Sequence, residues 1–125
     1  EPANNPDQYW KTPNVKGAST VPFFGDCARE YLTTTHFENT PPYFEQDIIF
    51  AMVGGSGGEM KNFCLNRHSN GSVNLLFLDS SARPAGLKEL WVLPWNRVWD
   101  QEIIDAGRKL PVWPKWMSSF KDYPL

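Results

Sequence analysis

Few side chains in this chain could carry chemistry. It has two histidines, His36 and His68, and two cysteines, Cys27 and Cys64. His68 and Asp79 are the natural pair for acid-base work or metal binding, which require both groups within hydrogen-bond reach. Ten residues separate them, a turn and then an apolar run. If that run is a strand, the two side chains sit at its opposite ends, on the order of 20 Å apart at the rise of an extended chain. A structural use is then expected for each. Asp79 would accept hydrogen bonds at the turn that ends the strand, and His68 would bond backbone near a hairpin tip. The other groupings are weaker. The histidines and cysteines lack close ligand spacing for zinc. Asp100, Glu102 and Asp105 lack the regular alternation of oxygen ligands in a calcium loop and read as a solvated helix face. Ser80 and Ser81 follow Asp79 without the glycine pattern of a nucleophile elbow. The run Gly54-Gly55-Ser56-Gly57-Gly58 lacks the Gly-Lys-Ser/Thr ending of a phosphate loop and reads as a connection. No catalytic residue is expected.

The element that must position these residues is the run 73–78. Val73, Leu75 and Phe77 alternate to one face and Leu76 and Leu78 to the other. That pattern fits a central strand with something packed on each side. Before it stands Ser69-Asn70-Gly71, and Asn-Gly between β-rich runs is a strong hairpin signal. A hairpin is therefore expected to fold residues 60–68 onto 72–78, with His68 facing Ser72 and Asp79 facing Lys61. Residues 21–27 read as another short strand, with Pro22 at its start or on an edge. Leu87, Leu90, Trp91 and Leu93 have helical spacing and predict a short helix ended by Pro94. Asn96 would cap a second helix stopped by Gly107, and Pro114 would open a last helical turn within 115–121. Residues 47–53 fit a strand or one helical turn. Residues 1–20 read as an extended linker anchored by Tyr9 and Trp10, and residues 21–125 as one domain. The fold class is α+β: a small antiparallel sheet built on a central hairpin, short C-terminal helices and much loop.

The same stretch carries a family resemblance. Arg67-His68, the Asn70-Gly71 turn, the apolar strand, Asp79 and Ser81-Ala82-Arg83 resemble the C-terminal motif of bacterial prepilin-type, pseudopilin-like proteins: His, nine residues, then Asp-Gly. A planctomycete-like subgroup continues as this chain does, through Gly86-Leu87-Lys88-Glu89-Leu90-Trp91, Leu93, Trp95, Trp113-Pro114-Lys115-Trp116-Met117 and Phe120-Lys121-Asp122-Tyr123. Here ten residues stand where the family has nine, and Ser80 replaces the glycine; an extra residue in a turn need not shift strand register. The resemblance implies a pilin-like globular domain lacking its N-terminal apolar helix, and a structural role in a type IV pilus or type II secretion-type filament. It implies a leader peptidase, an assembly platform and other pilin-like subunits as partners, and an extracytoplasmic location. The membrane would be met only through the missing helix, and the fragment alone should be monomeric. Some pseudopilins of the wider superfamily carry calcium near the C-terminus, so calcium is the one cofactor with any support. Export makes a disulfide reasonable. If Cys27 and Cys64 lie on neighbouring strands, a bond between them would close a loop of roughly 37 residues, worth about 4 kcal/mol. Two buried thiols are the alternative.

Composition bounds these readings. At 125 residues the chain holds one modest core. Its formal net charge of −2 leaves no basic stripe for nucleic acid, and no apolar run reaches the ~18 residues of a membrane span. Six Trp, four Tyr and eight Phe are many for the length. Trp91, Trp95, Trp113 and Trp116 could cover the sheet or make an interface. A secreted module binding glycans through exposed aromatics is the second function to weigh.

Overall fold

The apolar strand at the centre of the sequence is also the centre of the sheet. In the computed structural model, which describes residues 10–27, 41–45, 59–68, 70–99, 105, 107 and 109–125, strand β1 is Pro22–Gly25, β2 is Ser72–Phe77 and β3 is Ala82–Gly86. They form a three-stranded antiparallel sheet in the order β1-β2-β3. The small α+β class expected from the sequence is what the chain adopts, with short 3₁₀ turns packed beside the sheet.

The partner expected for β2 is corrected. Residues 60–68 do not form the other arm of its hairpin. Glu59–Asn62 is a 3₁₀ helix, and among the described residues after it the one backbone bridge to β2 is His68 to Ser72. Both edges of β2 are already occupied: Gly25 pairs with Leu75 on one side and Ala85 with Val73 on the other. The Asn70-Gly71 turn does form, with Gly71 at φ 65°. Its backbone groups serve other partners, however: the Gly71 N–H donates to Asn66 Oδ1 at 3.1 Å, and its carbonyl accepts from Leu87 N–H at 2.9 Å. The real hairpin joins β2 to β3 through residues 78–80, where Ser80 N–H donates to the Phe77 carbonyl and Phe77 N–H to the Ser81 carbonyl. Ser80 closes this loop at φ 69°, a left-handed conformation that glycine adopts more readily.

Alternation along β2 decides where the core lies. Val73, Leu75 and Phe77 are buried, whereas Leu76 and Leu78 are half-buried, so the second face of the strand is only partly covered. Against the buried face pack Ala85 of β3 and, from outside the sheet, Met60, Phe63, Cys64, Leu87, Leu90, Trp91, Leu93, Trp99 and Met117. The helix expected near Leu87 is a 3₁₀ turn, Lys88–Trp91, whose four residues are all buried. Asn96 Oδ1 accepts from Val98 N–H at 2.9 Å, the bond expected of a cap, while most of the second helix expected before Gly107 lies outside the described residues. Pro114 opens the last 3₁₀ turn, Lys115–Met117. Pro22 is the first residue of an edge strand, where its missing N–H costs nothing. Of the expected linker 1–20, the described part ends in a 3₁₀ turn, Ala18–Thr20. The segment 47–53, the glycine run 54–58, His36, Asp100 and Glu102 lie outside the described residues.

The expected Cys27–Cys64 disulfide is also corrected: no bond joins them. The expectation required the Cys64 segment to neighbour β1, but β2 takes that place. Cys64 instead lies just after the 3₁₀ turn, its N–H bonded to the Met60 carbonyl, and its side chain is fully buried in the core. Burial pushes its thiol well above the ordinary range.

Candidate functional site

The motif histidine meets a carboxylate that the sequence did not single out. β1 ends at Gly25, and the next residue, Asp26, is locked to β2 through both its backbone and its side chain. Its N–H donates to the Asn74 carbonyl at 3.1 Å, and its Oδ2 accepts from Asn74 N–H at 2.9 Å. The same Oδ2 lies 2.8 Å from His68 Nε2. The Asn74 side-chain amide lies 3.2 Å from that ring nitrogen. Next to this group, Arg67 reaches the Cys27 carbonyl at 3.4 Å. One imidazole thus ties together the end of β1, the approach to β2 and β2 itself. The expectation that His68 would bond backbone with its side chain is replaced by this contact.

The electrostatics come from the geometry. Burial by itself would raise the Asp26 carboxyl. The Asn74 N–H, the His68 ring and the Arg67 charge outweigh burial and hold it below its ordinary value. The His68 side chain keeps 46% of its surface exposed and Asp26 29%, so the pair sits at the surface rather than in a dry cleft. With Nε2 committed to Asp26, the ring is oriented by a carboxylate in the manner of a supported imidazole. The ring's bonded partners are a carboxylate and an amide. Among the described residues no three His, Cys, Asp or Glu side chains gather as a metal site would require.

The other motif residues separate into structural tasks. Asp79 is at the far end of β2 from His68, so the two are not brought together. Its Oδ1 accepts from Ser81 N–H at 2.9 Å and Ser81 Oγ at 2.5 Å, which lowers its carboxyl, the hydroxyl contributing most. This is the turn-closing role expected of it. Asn70 and Gly71 form the turn before β2. Trp91 is fully buried; Trp95, Trp113 and Trp116 are half-buried and packed on the core. The indole N–H of Trp95 donates to the Leu90 carbonyl and that of Trp116 to the Pro42 carbonyl. Aromatic surface is presented instead by Phe23 and Phe24 of β1 and by Tyr43 and Phe44, all more than half exposed. The adjacent pair Phe23-Phe24 was the available signal, since a strand buries only one side and neighbours point to opposite faces.

No protein-family model, curated protein or solved structure matches the chain. Among the described residues no helix is long and apolar enough to cross a membrane.

Proposed function

We propose that this chain is the globular domain of a prepilin-like or pseudopilin-like structural subunit, carried in the full protein on an N-terminal apolar helix and displayed outside the cytoplasm. The observation that carries the reading is the conformation of the loop after β2. The family motif places Asp-Gly where this chain has Asp79-Ser80. Ser80 occupies a left-handed conformation, φ 69°, the conformation that makes glycine the favoured residue there. Asp79 closes the same loop through Ser81. The motif therefore fits as a folding device of a strand and its hairpin. His68 likewise spends Nε2 on Asp26, a use that suits a framework residue. In the full protein, neighbouring subunits and an assembly platform are the partners.

The test is the gene product upstream of Glu1 and its processing. A leader cleaved by a prepilin peptidase before an apolar helix opening on Phe-Thr-Leu-Ile-Glu-like residues is the expected result. An ordinary secretory signal with no such helix overturns the proposal.

A glycan-binding module is the second reading, favoured by the exposure of both Phe23 (69%) and Phe24 (72%) at the register shift of edge strand β1. Flat aromatic surface stacks on sugar faces and is otherwise costly to leave in water. A glycan array reads it out: specific binding lost in Phe24→Ala supports it, and binding to no glycan removes it.

A further inference from the structure

The pair Asn70-Gly71 carries a chemistry besides its turn. Of the asparagines in the chain, Asn70 alone is followed by glycine. The side-chain amide of an asparagine is an electrophile, and the backbone nitrogen of the next residue is the nucleophile that reaches it, closing a cyclic imide. A side chain on that next residue crowds the approach, and glycine has none. Asn70 stands exposed in the turn before β2, so its amide is open to water, whereas Gly71 is buried.

The packing demands a glycine at this place. Gly71 has φ 65°, in the left-handed region. A Cβ there would come within 2.6 Å of the Phe120 ring. The entry to β2 is therefore built on the one residue type that makes Asn70 labile.

A third residue restrains the attacking nitrogen. Gly71 N–H donates to Asn66 Oδ1 at 3.1 Å. Asn66 is itself oriented, since its Nδ2 donates to Glu45 Oε1 at 2.7 Å. A carboxylate only accepts, so the amide nitrogen faces Glu45 and the amide oxygen is left for Gly71. The Gly71 carbonyl is held as well, accepting from Leu87 N–H at 2.9 Å. To attack, the Gly71 nitrogen must give up its proton to solvent. The bond to Asn66 opposes that and burial keeps water away, as in amides whose hydrogen exchange waits for local opening.

We propose that Asn70 is a site of spontaneous deamidation, closed in the native fold by the Asn66 bond and the burial of Gly71, and opened when the entry to β2 comes loose. In the open state the Gly71 nitrogen bonds to Asn70 Cγ, and the bond from Cγ to Nδ2 breaks. The Gly71 proton passes through solvent to the departing nitrogen, which leaves as ammonia. Water then opens the imide at either carbonyl, giving aspartate or isoaspartate. The imide has no N–H to offer Asn66. Isoaspartate carries the backbone through Cβ, one carbon longer, and so displaces the Gly71 carbonyl from Leu87 N–H. Refolding does not reverse the change, which adds a negative charge to the turn. The inference rests on this turn alone, and its failure leaves the subunit reading untouched.

Peptide mapping by mass spectrometry, which detects an amide that has become an acid, tests it on the full chain. Wild type and Asn66→Ala are incubated folded at mildly alkaline pH, and wild type in denaturant supplies the unfolded rate. Native wild type is expected to keep its Asn70 amide over a period in which the unfolded chain loses it. Folded Asn66→Ala is expected to convert Asn70 roughly fivefold faster than native wild type, the effect of one net hydrogen bond on an opening equilibrium. An unfolded chain that converts no faster than native wild type, or a folded Asn66→Ala that converts at the wild-type rate, overturns the proposal. If Asn66→Ala does not fold, wild type decides. In denaturant below the unfolding transition, conversion of Asn70 should rise in step with hydrogen exchange at Gly71 N–H. Conversion that does not follow that exchange overturns the proposal.

Discussion

Asp26 holds the junction of three segments with a single oxygen, and this makes the fold sensitive to acid there. Its carboxyl sits below the ordinary value, so the folded state binds its proton less readily than the unfolded chain. The resulting stability is present above the unfolded value, near 3.8, and disappears as pH falls through the folded one. Asp26→Asn is expected to cost about 1 to 2 kcal/mol at neutral pH, the scale of losing charge-assisted hydrogen bonds. Denaturant melts of the two proteins should converge as pH falls below the carboxylate range; a constant difference down to pH 2 would show that the carboxylate charge is not what matters. At the same scale, Ser80 is a serine in a glycine's conformation. The left-handed region costs a side-chain-bearing residue roughly 1 to 2 kcal/mol, and glycine returns part of that in unfolded-state entropy. Ser80→Gly should therefore raise stability by about 0.5 to 1 kcal/mol, visible as a higher denaturant midpoint at unchanged slope.

The element whose attachment is most distinctive is the C-terminal segment 113–123, where Lys88 Nζ donates to the Phe120 carbonyl and to Asp122 Oδ1. Burial raises the Tyr123 hydroxyl, the Glu89 carboxylate raises it further, and Arg83 offsets part of this. Glu89 itself is fixed by Arg83, at 2.6 and 3.2 Å, and by Gly86 N–H, so its charge is held close to the ring. A phenol with a raised value in the folded state favours the neutral form. The folded protein is unaffected below the unfolded value, near 10.0, and loses stability as pH climbs through the folded one. Wild type should thus weaken with alkali more steeply than Tyr123→Phe. Parallel melts between pH 8 and 11 check this, and identical slopes for the two proteins would count against it. The 3₁₀ turn Lys88–Trp91 joins that segment to the core: Lys88 reaches Asp122 and Glu89 reaches Arg83 of β3, while Leu90 and Trp91 face the core.

For the molecule as a whole, the aromatic load of the C-terminal third resolves into core. Trp91 and Trp99 are fully buried, Trp113 meets Trp91 edge-on, and Trp116 meets Phe120 edge-on. Among the described residues the buried face of the three-stranded sheet is where these rings gather. Trp91→Ala is expected to cost about 3 to 5 kcal/mol, a large share of the roughly 5 to 15 kcal/mol typical of a domain. Circular dichroism should report a large fall in melting temperature or an unfolded chain; a shift of only a few degrees would mean that segment 113–123 does not depend on this ring.

Some of this was decided by the sequence alone. Alternation along 73–78 was enough to identify a strand and its central place, but both faces read as apolar, and only the structure shows Val73, Leu75 and Phe77 buried while Leu76 and Leu78 stay half-buried. Pro22 marked an edge, Asp79 a turn and Pro114 a helical start, since each acts through bonds to residues a few positions away. Strand pairing was different. Asn70-Gly71 does turn the chain, but whether a turn becomes a hairpin depends on which segments win the two edges of β2, and β1 comes from about fifty residues earlier. That competition also determined that Cys64 would enter the core rather than face Cys27, and that His68 would meet Asp26, 42 positions away. Local chemistry is written in neighbouring residues; the partners of an edge, a thiol or an imidazole are chosen only when distant segments compete for the same space.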